Sequence, residues 1–513
     1  MSNKEKKIRR PKWLVPETEE QRKTRLRLAY EEPKPSNGNG GSEGIGKRSR
    51  KKKPADDGMI RRSFFENDNK IFEQIHDGEK SLFIYYDIVT GEVGEVPAAG
   101  KVLPVSLVEN ELNTVGLAQN VFNFYNRYNS ENEAEADLLT EVEGFIYRYV
   151  DLDDSFRMFA ACYVLLSWLY DKFYSIPYLR LQGDFGTGKS RALDVVGGIC
   201  YRPVNVSGAT SAAGIFRVID RWRGTLILDE SDFRFSDETV DIIRILNQGF
   251  EKNRTVLRVN TNTMNLEHFQ AFSPKIIASR KKFADEALES RCLSTITKQT
   301  NRTDVPFSLG RQFFAERDQL RKKLLMYRLK NWSRIDPEIF NIDVKVEPRL
   351  KQITLPFFVL FAKNRELLGE FKKFIEGFQT ELIEDRAGTP TGQVVGMLFE
   401  LFSNSGHKLV EVLSETNVTN VTCVTPGQIA EKLDYKPRTV GTILKGVGLK
   451  TRVVKVEGHS RRCVEYSEER FNALRSRYIP ADGYSGYDSY STYGRKEQAT
   501  EEPASKLQNE MVF

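Results

Sequence analysis

The pattern of apolar and polar positions changes its period several times between residues 151 and 300. Short apolar runs of strand length occupy residues 177–182, 225–228 and 274–280. Between them, apolar residues recur at the spacing of an amphipathic helix, as in residues 237–250. Strands that alternate with helices are typical of a parallel sheet covered by helices, so we expect an α/β core over residues 151–300.

The regions that flank this core show other patterns. Residues 81–97 predict a β-hairpin with its turn near Thr90 and Gly91. Helical spacing dominates after the core. The predicted domains are a disordered basic tail (1–62), a small α/β region (63–150), the α/β core (151–300), a helical lid or connector (301–421), a compact unit (425–478) and a disordered tail (479–513).

The longest uncharged apolar stretch, residues 158–170, has thirteen residues. A membrane-spanning helix needs about 20, so this stretch predicts a buried helix and no membrane partner. The five cysteines form no CxxC pair and the four histidines are scattered, which argues against a zinc site. This cysteine usage is typical of a reducing compartment, and we expect a cytoplasmic protein, or a nuclear one in a eukaryotic host.

The net charge of +6 is unevenly distributed. Residues 1–62 hold 19 Lys and Arg against 9 Asp and Glu, and residues 425–478 hold 12 against 6. Two basic regions that flank a more acidic middle indicate a polyanionic partner, and we expect DNA. The run KRSRKKK at residues 47–53 has three interpretations: a phosphate contact, a nuclear address or a solubilising tail.

The strand at residues 177–182 leads into a glycine-rich segment that carries the first candidate chemistry. GDFGTGKS, residues 183–190, matches the pattern G-x-x-x-x-G-K-[ST] in full, and a helical pattern follows it. Glycines allow the N–H groups of such a loop and of the following helix to approach a phosphate closely. We expect Lys189 to reach the β- and γ-phosphate oxygens and Ser190 to bind Mg²⁺. The predicted ATP-binding residues are Gly183, Asp184, Phe185, Gly186, Thr187, Gly188, Lys189, Ser190 and Arg191.

Two acidic residues follow the strand at residues 225–228 and complete the expected site. Parallel α/β sheets bind ligands at the carboxyl ends of their strands, which is where Asp229 and Glu230 stand. Asp229 is expected to hold Mg²⁺ through water, and Glu230 to orient or deprotonate the attacking water. The sequence therefore predicts that the chain binds and hydrolyses a nucleoside triphosphate, with ATP and Mg²⁺ as cofactors.

The order of elements after the acidic pair resembles the AAA+ superfamily of P-loop ATPases. An amphipathic helix at residues 237–250 and a buried strand at residues 274–280 precede a Ser-Arg pair and a last strand. The resemblance implies that Arg291 is the arginine finger, which acts on the nucleotide of a neighbouring subunit in a ring, expected to be a homo-hexamer. It implies a sensor at Ser279 or Arg280, which compete for the place where the family usually has Asn, Thr or Ser.

Residues 254–272 predict a β-hairpin just before the sensor strand. Replicative AAA+ helicases of the MCM and superfamily 3 types carry a hairpin there that touches DNA in the central pore. The resemblance implies that role for Lys252, Arg254 and Arg258, and a solvated hairpin is the alternative. The core also resembles ATPases of archaeal and bacterial genomes and mobile elements.

The compact unit at residues 425–478 resembles a winged helix-turn-helix domain. Thr425 and Gln428 form a capping-box pattern before a first helix, a second helix follows over residues 438–448, and two basic strands come next. In such a domain the second helix enters the major groove and the wing meets phosphates. The predicted DNA contacts are Arg438, Thr439, Lys445, Arg461 and Arg462. A winged helix that binds protein is the alternative.

These features together predict a DNA-dependent ATPase, either a ring-forming helicase or a replication initiator that the winged helix anchors on DNA. One alternative is an ATP-switched initiator or plasmid-maintenance protein that binds DNA without unwinding it. A second alternative is a nucleotide-regulated transcription factor whose output is the winged helix.

Overall fold

The computed structural model describes residues 59–76, 80–105, 131–206, 210–229, 237–259, 264–338, 344–413, 418–456 and 459–480. Several sequence predictions fall outside these ranges. They are Glu230, the KRSRKKK run and most of both predicted tails.

An antiparallel sheet opens the described part of the chain. Its four strands pair in sequence order: β2 (Phe64–Asn67), β3 (Lys70–His76), β4 (Ser81–Asp87) and β5 (Val93–Val96). β4 and β5 form the predicted hairpin, and Gly91 takes a φ of +73° in the turn. β1 (Ile60–Arg61) pairs in parallel with β6 (Val102–Leu103). Strand pairing therefore begins inside the segment that was predicted to be a disordered tail.

Two helices connect this sheet to the core. They are α1 (Glu131–Tyr149) and α2 (Asp154–Leu169). The side chain of Asp153 caps α2 by accepting from the backbone N–H of Ser155. Most of α2 is buried, as the apolar stretch predicted. Among the described residues, every helix is either too short or too polar to span a bilayer.

The centre of the molecule is a five-stranded parallel sheet. In chain order the strands of this region are β7 (Tyr178–Gln182), β8 (Val204–Val206), β9 (Leu226–Leu228), the hairpin strands β10 (Thr255–Val259) and β11 (Leu266–Gln270), β12 (Lys275–Ser279) and β13 (Cys292–Ile296). The order across the sheet is β13-β7-β12-β9-β8. β12 thus lies between β7 and β9, and the expected α/β class is confirmed.

Helices cover both faces of this sheet. They are α3 (Lys189–Ala192), which continues as a π-helical turn (Leu193–Gly197), α4 (Ala212–Trp222), α5 (Asp237–Gln248) and α6 (Glu286–Glu289). The π-helical turn packs Gly197 against Ile227 on one face. On the other face, the Tyr178 hydroxyl donates to the Leu246 carbonyl of α5 at 2.6 Å.

The region after the core is mainly helical. It comprises α7 (Arg311–Asn331), α8 (Pro348–Leu360), α9 (Arg365–Ala387) and α10 (Pro390–Asn404). The prediction of helix up to residue 421 is wrong at its end, because β14 (Leu409–Leu413) and β15 (Val418–Thr422) form an antiparallel hairpin. β-Branched residues such as Val410, Thr419 and Val421 favour this extended structure.

The C-terminal unit contains α11 (Pro426–Leu433), α12 (Pro437–Gly446), β16 (Thr451–Val456), β17 (His459–Val464) and α13 (Glu468–Tyr478). Thr425 and Gln428 make the predicted capping box. Val394 and Leu398 of α10 belong to the same apolar cluster as α11, α12 and α13. The packed unit therefore starts about 35 residues before Thr425, earlier than the sequence predicted.

A single apolar cluster joins the N-terminal sheet, the parallel sheet and α7 to α9. A buried ion cluster crosses the same junction. Glu73 of β3 accepts from Arg202, from Arg328 of α7 and from the Tyr201 hydroxyl. Arg328 also donates to both carboxylate oxygens of Asp171, at 2.8 and 2.9 Å. These contacts fix the N-terminal sheet to the core that carries the candidate site.

Candidate phosphate-binding site

The segment between β7 and α3 contains three glycines. Gly186 and Gly188 have φ angles of +72° and +81°, a region that strains any residue with a Cβ atom. Gly183 is needed for a different reason. A Cβ atom there would lie 2.5 Å from Thr297 Oγ1 and 2.8 Å from Thr187 Oγ1. Each glycine thus meets a specific backbone or packing requirement of the loop.

The Lys189 side chain folds back over this loop. Its Nζ donates to the carbonyl oxygens of Gly183 and Asp184 at 2.7 and 2.6 Å. The Thr187 hydroxyl donates to the Asp184 carbonyl at 2.8 Å and contacts Thr297 Oγ1 at 2.9 Å. An ammonium bonded only to neutral carbonyls gains a stronger partner when a phosphate oxygen replaces them. The loop therefore presents a cation that can transfer from carbonyls to a bound phosphate.

Ser190 and Arg191 follow in α3 and differ in their surroundings. Ser190 is exposed. The Arg191 guanidinium donates to the carbonyls of Tyr149, Pro306 and Phe307, with the Pro306 contact at 2.8 Å. Arg191, which was predicted to bind ATP, thus connects α3 to the segment that follows β13 through hydrogen bonds to backbone carbonyls.

Two carboxylates, Asp194 in the π-helical turn after α3 and Asp229 after β9, lie close enough for their charges to interact. Asp229 directly follows β9 and is half-buried. Burial raises the pKa of Asp194, the nearby charge of Asp229 raises it further, and Arg191 lowers it. Carboxylate and hydroxyl oxygens such as that of Ser190 are ligands that Mg²⁺ accepts. Over the part of the chain that the structure describes, no group of three or more His, Cys, Asp or Glu side chains could hold a metal.

The two sensor candidates, Ser279 and Arg280, lie at the carboxyl end of β12. This strand lies between β7, which leads into the phosphate loop, and β9, which Asp229 follows. The Ser279 carbonyl accepts from the backbone N–H of Gly183 at 3.2 Å. The Ser279 hydroxyl is 2% exposed and has no hydrogen-bond partner among the described residues. Arg280 is exposed, and its guanidinium lies 4.6 Å from the centre of the Phe185 ring in the loop. Both residues adjoin the loop, in different ways.

Arg291 lies at the opposite edge of the sheet, where the strands begin. Its carbonyl accepts from Tyr178 N–H at 2.9 Å, at the start of β7. The side chain donates to the Ala287 carbonyl, and its guanidinium lies 4.3 Å from the centre of the Phe250 ring. The residue is 9% exposed, and burial, followed by the neighbouring charge of Arg349, lowers its pKa. In a single chain this side chain does not project into solvent.

The hairpin β10–β11 forms as predicted, but its basic residues have partners within the chain. Lys252 Nζ donates to the Asp171 carbonyl at 2.8 Å, Arg254 pairs with Glu251, and Arg258 pairs with Asp241 at 2.9 Å. The exposed face of the hairpin is largely apolar. Its large exposed side chains are Leu257, Val259, Met264 and Leu266.

The predicted DNA contacts of the C-terminal unit all face solvent. Arg438, Thr439 and Lys445 lie on α12, and Arg461 and Arg462 lie on β17, and all five are exposed. Val440 and Leu444 form the buried side of α12. α12 thus turns its polar side outward, and the basic residues of β17 are exposed as well.

Two residues that sequence reasoning missed contribute to the sites. Thr297 closes the phosphate loop from β13, and its N–H donates to the Gln182 carbonyl at 2.7 Å. Arg349 of α8 places a second guanidinium 5.0 Å from the Phe250 ring, beside Arg291. Neither has a local sequence signal, since Thr297 lies more than 50 residues from the phosphate loop and Arg349 more than 50 residues from Phe250 and Arg291.

No protein-family model matches this sequence, and no curated protein sequence matches it. Among solved structures, the chain is similar to an active helicase, Cch, of SCCmec type IV (12% identity, 81% of this chain and 80% of that chain, TM-score 0.38). It is also similar to the C-terminal region of NrS-1 in its apo form (12%, 77% and 97%, TM-score 0.34) and to an MCM homologue from Methanopyrus kandleri (13%, 61% and 65%, TM-score 0.31).

Proposed function

We propose that this chain is a Mg²⁺-dependent ATPase of the AAA+ type that acts on DNA. The observation that carries the proposal is the phosphate loop, in which Gly186 and Gly188 are in the left-handed region and Lys189 rests on two loop carbonyls. The strand order supports the proposal, because β12, which ends at Ser279, lies between β7 and β9. A loop of this kind, at the same carboxyl end of the sheet as Asp229, suits a polyphosphate with a bound cation.

Each residue of the site has a role in this proposal. Lys189 leaves its carbonyl partners and binds the phosphates, while Ser190 and Asp229 hold Mg²⁺. The ion supplies charge neutralisation on the phosphates. Glu230 orients the attacking water as a general base. Ser279, whose hydroxyl is buried without a partner among the described residues, accepts or donates one hydrogen bond to a water or phosphate oxygen.

Arg291 is proposed to act across a subunit interface in a homo-oligomeric ring. A guanidinium supplied in trans stabilises the charge that develops on the transferred phosphoryl group. Because Arg291 lies against Phe250 in the single chain, it has to leave that ring when subunits assemble. Hydrolysis is then coupled to assembly, since the isolated chain keeps its finger buried.

The C-terminal unit is proposed to be a winged helix that contacts DNA through the exposed residues of α12 and β17. Contacts of this type are mostly to phosphates and depend on salt. A second candidate function, an ATP-switched DNA-binding protein without unwinding activity, is favoured by the hairpin β10–β11. The basic side chains of the hairpin are engaged within the chain, which leaves fewer of them for pore contacts.

Steady-state ATP turnover with and without single-stranded and duplex DNA, at two salt concentrations, tests the proposal. Lys189→Ala should remove nucleotide binding, and Glu230→Gln should bind ATP without hydrolysing it. Arg291→Ala should lose turnover and keep binding, and mixing it with Glu230→Gln should restore part of the activity. A Glu230→Gln protein with normal turnover refutes the assigned role. Strong stimulation by DNA supports a motor, whereas slow turnover indifferent to DNA, with tight duplex binding, supports the switch.

A further inference from the structure

Three arginines lie along one side of α7. Arg317, Arg321 and Arg328 are four and seven residues apart, a spacing that keeps side chains on the same face of a helix. Arg328 is fully buried, and its charge is matched by the carboxylates of Glu73 and Asp171. Arg317 is paired with Asp318, at 2.9 and 3.0 Å. These two arginines therefore have the partners that buried or half-buried guanidinium groups require.

Arg321 differs from both neighbours. It is only 5% exposed, yet its Nε and Nη2 atoms have no hydrogen-bond partner within the described ranges. These two nitrogens form one edge of the guanidinium, the edge that binds two oxygens of a carboxylate or phosphate side by side. The unmet donors are therefore arranged as a bidentate oxyanion fork.

Among the described residues, Asp318 is the carboxylate whose charge raises the pKa of Arg321. Burial, and then the charge of Arg317, lowers the pKa of Arg321 to about 10, so the side chain still carries its charge at neutral pH. The neighbouring carboxylate, Asp318, already accepts from Arg317. A buried guanidinium whose donors have no acceptor is strongly unfavourable. An anion from solution would remove that unfavourable term.

We propose that Arg321, with Arg317 beside it, binds a small tetrahedral oxyanion of the phosphate class. The side-by-side donors select an oxyanion over a spherical halide. Arg317, whose side chain is 26% exposed, brings the site close to the surface. This site does not depend on the proposed ATPase function, because it lies on α7 and its donors are separate from those of the phosphate loop.

The place of the site in the fold separates it from the nucleotide. A Cβ atom on Gly198 would lie 3.4 Å from Arg317 Cδ. Gly198 is at the far end of the helix that Lys189 begins, about 13 Å along its axis at about 1.5 Å per residue. The anion would thus bind between α7 and the C-terminal end of the helical segment that begins with α3, away from the phosphate loop.

Unfolding of the full chain in inorganic phosphate, against chloride at the same ionic strength, tests the proposal. The measurements use a Lys189→Ala background so that the phosphate loop does not contribute. The midpoint should rise with the logarithm of the phosphate concentration once the site is saturating. Arg321→Met should abolish this rise, and Arg317→Gln should weaken phosphate binding several-fold. Arg148→Met, which removes an exposed arginine of the neighbouring α1, should leave the rise unchanged.

Two results would overturn the proposal. One is an unfolding midpoint of the Lys189→Ala protein that does not respond to phosphate beyond the chloride control. The other is a response that survives in Arg321→Met or, if the methionine variant does not fold, a phosphate affinity in Arg317→Gln that equals that of the Lys189→Ala parent. The same unfolding measurement with duplex DNA in place of inorganic phosphate distinguishes a free anion from a nucleic-acid phosphate. Stabilisation by DNA that depends on Arg321, without stabilisation by inorganic phosphate, would contradict a small-anion site.

Discussion

The two edges of the parallel sheet carry lysines in contrasting environments. At the carboxyl edge, Lys189 is half-buried and donates to two carbonyls of its own loop. At the amino edge, Lys275 is fully buried, and its Nζ donates to the carbonyls of Gly249, Ala271 and Ser273 at 2.9 to 3.1 Å. Lys189 can exchange its partners for a ligand, whereas Lys275 cannot be reached by one.

The difference assigns separate tasks to the two edges. The three carbonyls that Lys275 joins lie on both sides of the hairpin β10–β11, so this lysine ties the base of the hairpin together. Arg291, at the same edge, is also buried. Substitution of Lys275 should therefore change folding stability and leave ligand binding intact, whereas substitution of Lys189 should change ligand binding.

The largest effect is expected for Lys275→Met. Methionine fills a similar volume, but it removes the Nζ donor from the buried carbonyls of Ala271 and Ser273, and each unmet buried acceptor costs about 1–3 kcal/mol. The Gly249 carbonyl keeps the Ser273 N–H as a donor. Some of this cost is offset because a buried charge is removed. We expect the free energy of unfolding to fall by about 3 kcal/mol in urea titrations. ATP affinity of the folded variant should stay within about twofold of the parent protein, given that the two edges are independent.

The same lysine gives a dependence on pH. Burial holds the pKa of Lys275 well below its ordinary value, so the folded chain releases this proton at a lower pH than the unfolded chain does. Between those two pKa values the unfolded state binds more protons, and stability therefore rises with pH. The parent protein should gain stability relative to Lys275→Met as the pH is raised towards the ordinary lysine pKa. A constant difference across that range would contradict the lowered pKa.

Gly183→Ala should have an intermediate effect, at the carboxyl edge. The added Cβ atom would lie 2.5 Å from Thr297 Oγ1 and 2.9 Å from the Thr297 carbonyl, so β13 and the loop have to separate. Overpacking of this kind costs about 1–3 kcal/mol. We expect a loss of about 2 kcal/mol in stability and at least a tenfold loss of ATP affinity by fluorescence titration with a labelled nucleotide.

Gly144→Ala is the matched control, because nothing lies within 4 Å of the new Cβ atom in the middle of α1. It should leave nucleotide binding unchanged and raise stability by up to about 1 kcal/mol, through helix propensity. Equal ATP affinity in Gly183→Ala and Gly144→Ala would show that closure of the loop by Thr297 has no part in binding.

Local pattern was enough to predict the parallel core, because short apolar strands with intervening helices leave few other arrangements. The phosphate loop could also be predicted from the sequence, since glycines at fixed spacing determine its backbone conformation. The hairpin at residues 409–422 was missed because helical spacing was extended past Asn404, where β-branched residues take over. α13 was missed although Phe471, Leu474 and Tyr478 have helical spacing. The packing of Arg291 on Phe250 could not be predicted, because it depends on tertiary contacts that leave no local pattern.

Ser279→Ala is expected to have the smallest effect on stability. The buried Ser279 hydroxyl has no partner among the residues that the structure describes, so its removal should leave the free energy of unfolding unchanged or raise it by about 1 kcal/mol. Ser167→Ala is the matched control: that buried hydroxyl donates to the Val164 carbonyl at 2.6 Å and accepts from Tyr201 N–H at 3.0 Å. Its loss should cost about 1–2 kcal/mol.

ATP turnover should show the opposite order of effects: a larger loss for Ser279→Ala than for Ser167→Ala. If the Ser279 hydroxyl serves a phosphate oxygen or the attacking water, Ser279→Ala should lower ATP turnover about tenfold and keep ATP affinity. Ser167→Ala should turn over normally at a temperature where it remains folded. A Ser279→Ala protein with full turnover and unchanged stability would mean that the hydroxyl contributes neither to folding nor to the reaction. The sensor role would then pass to Arg280, which lies over Phe185 in the phosphate loop.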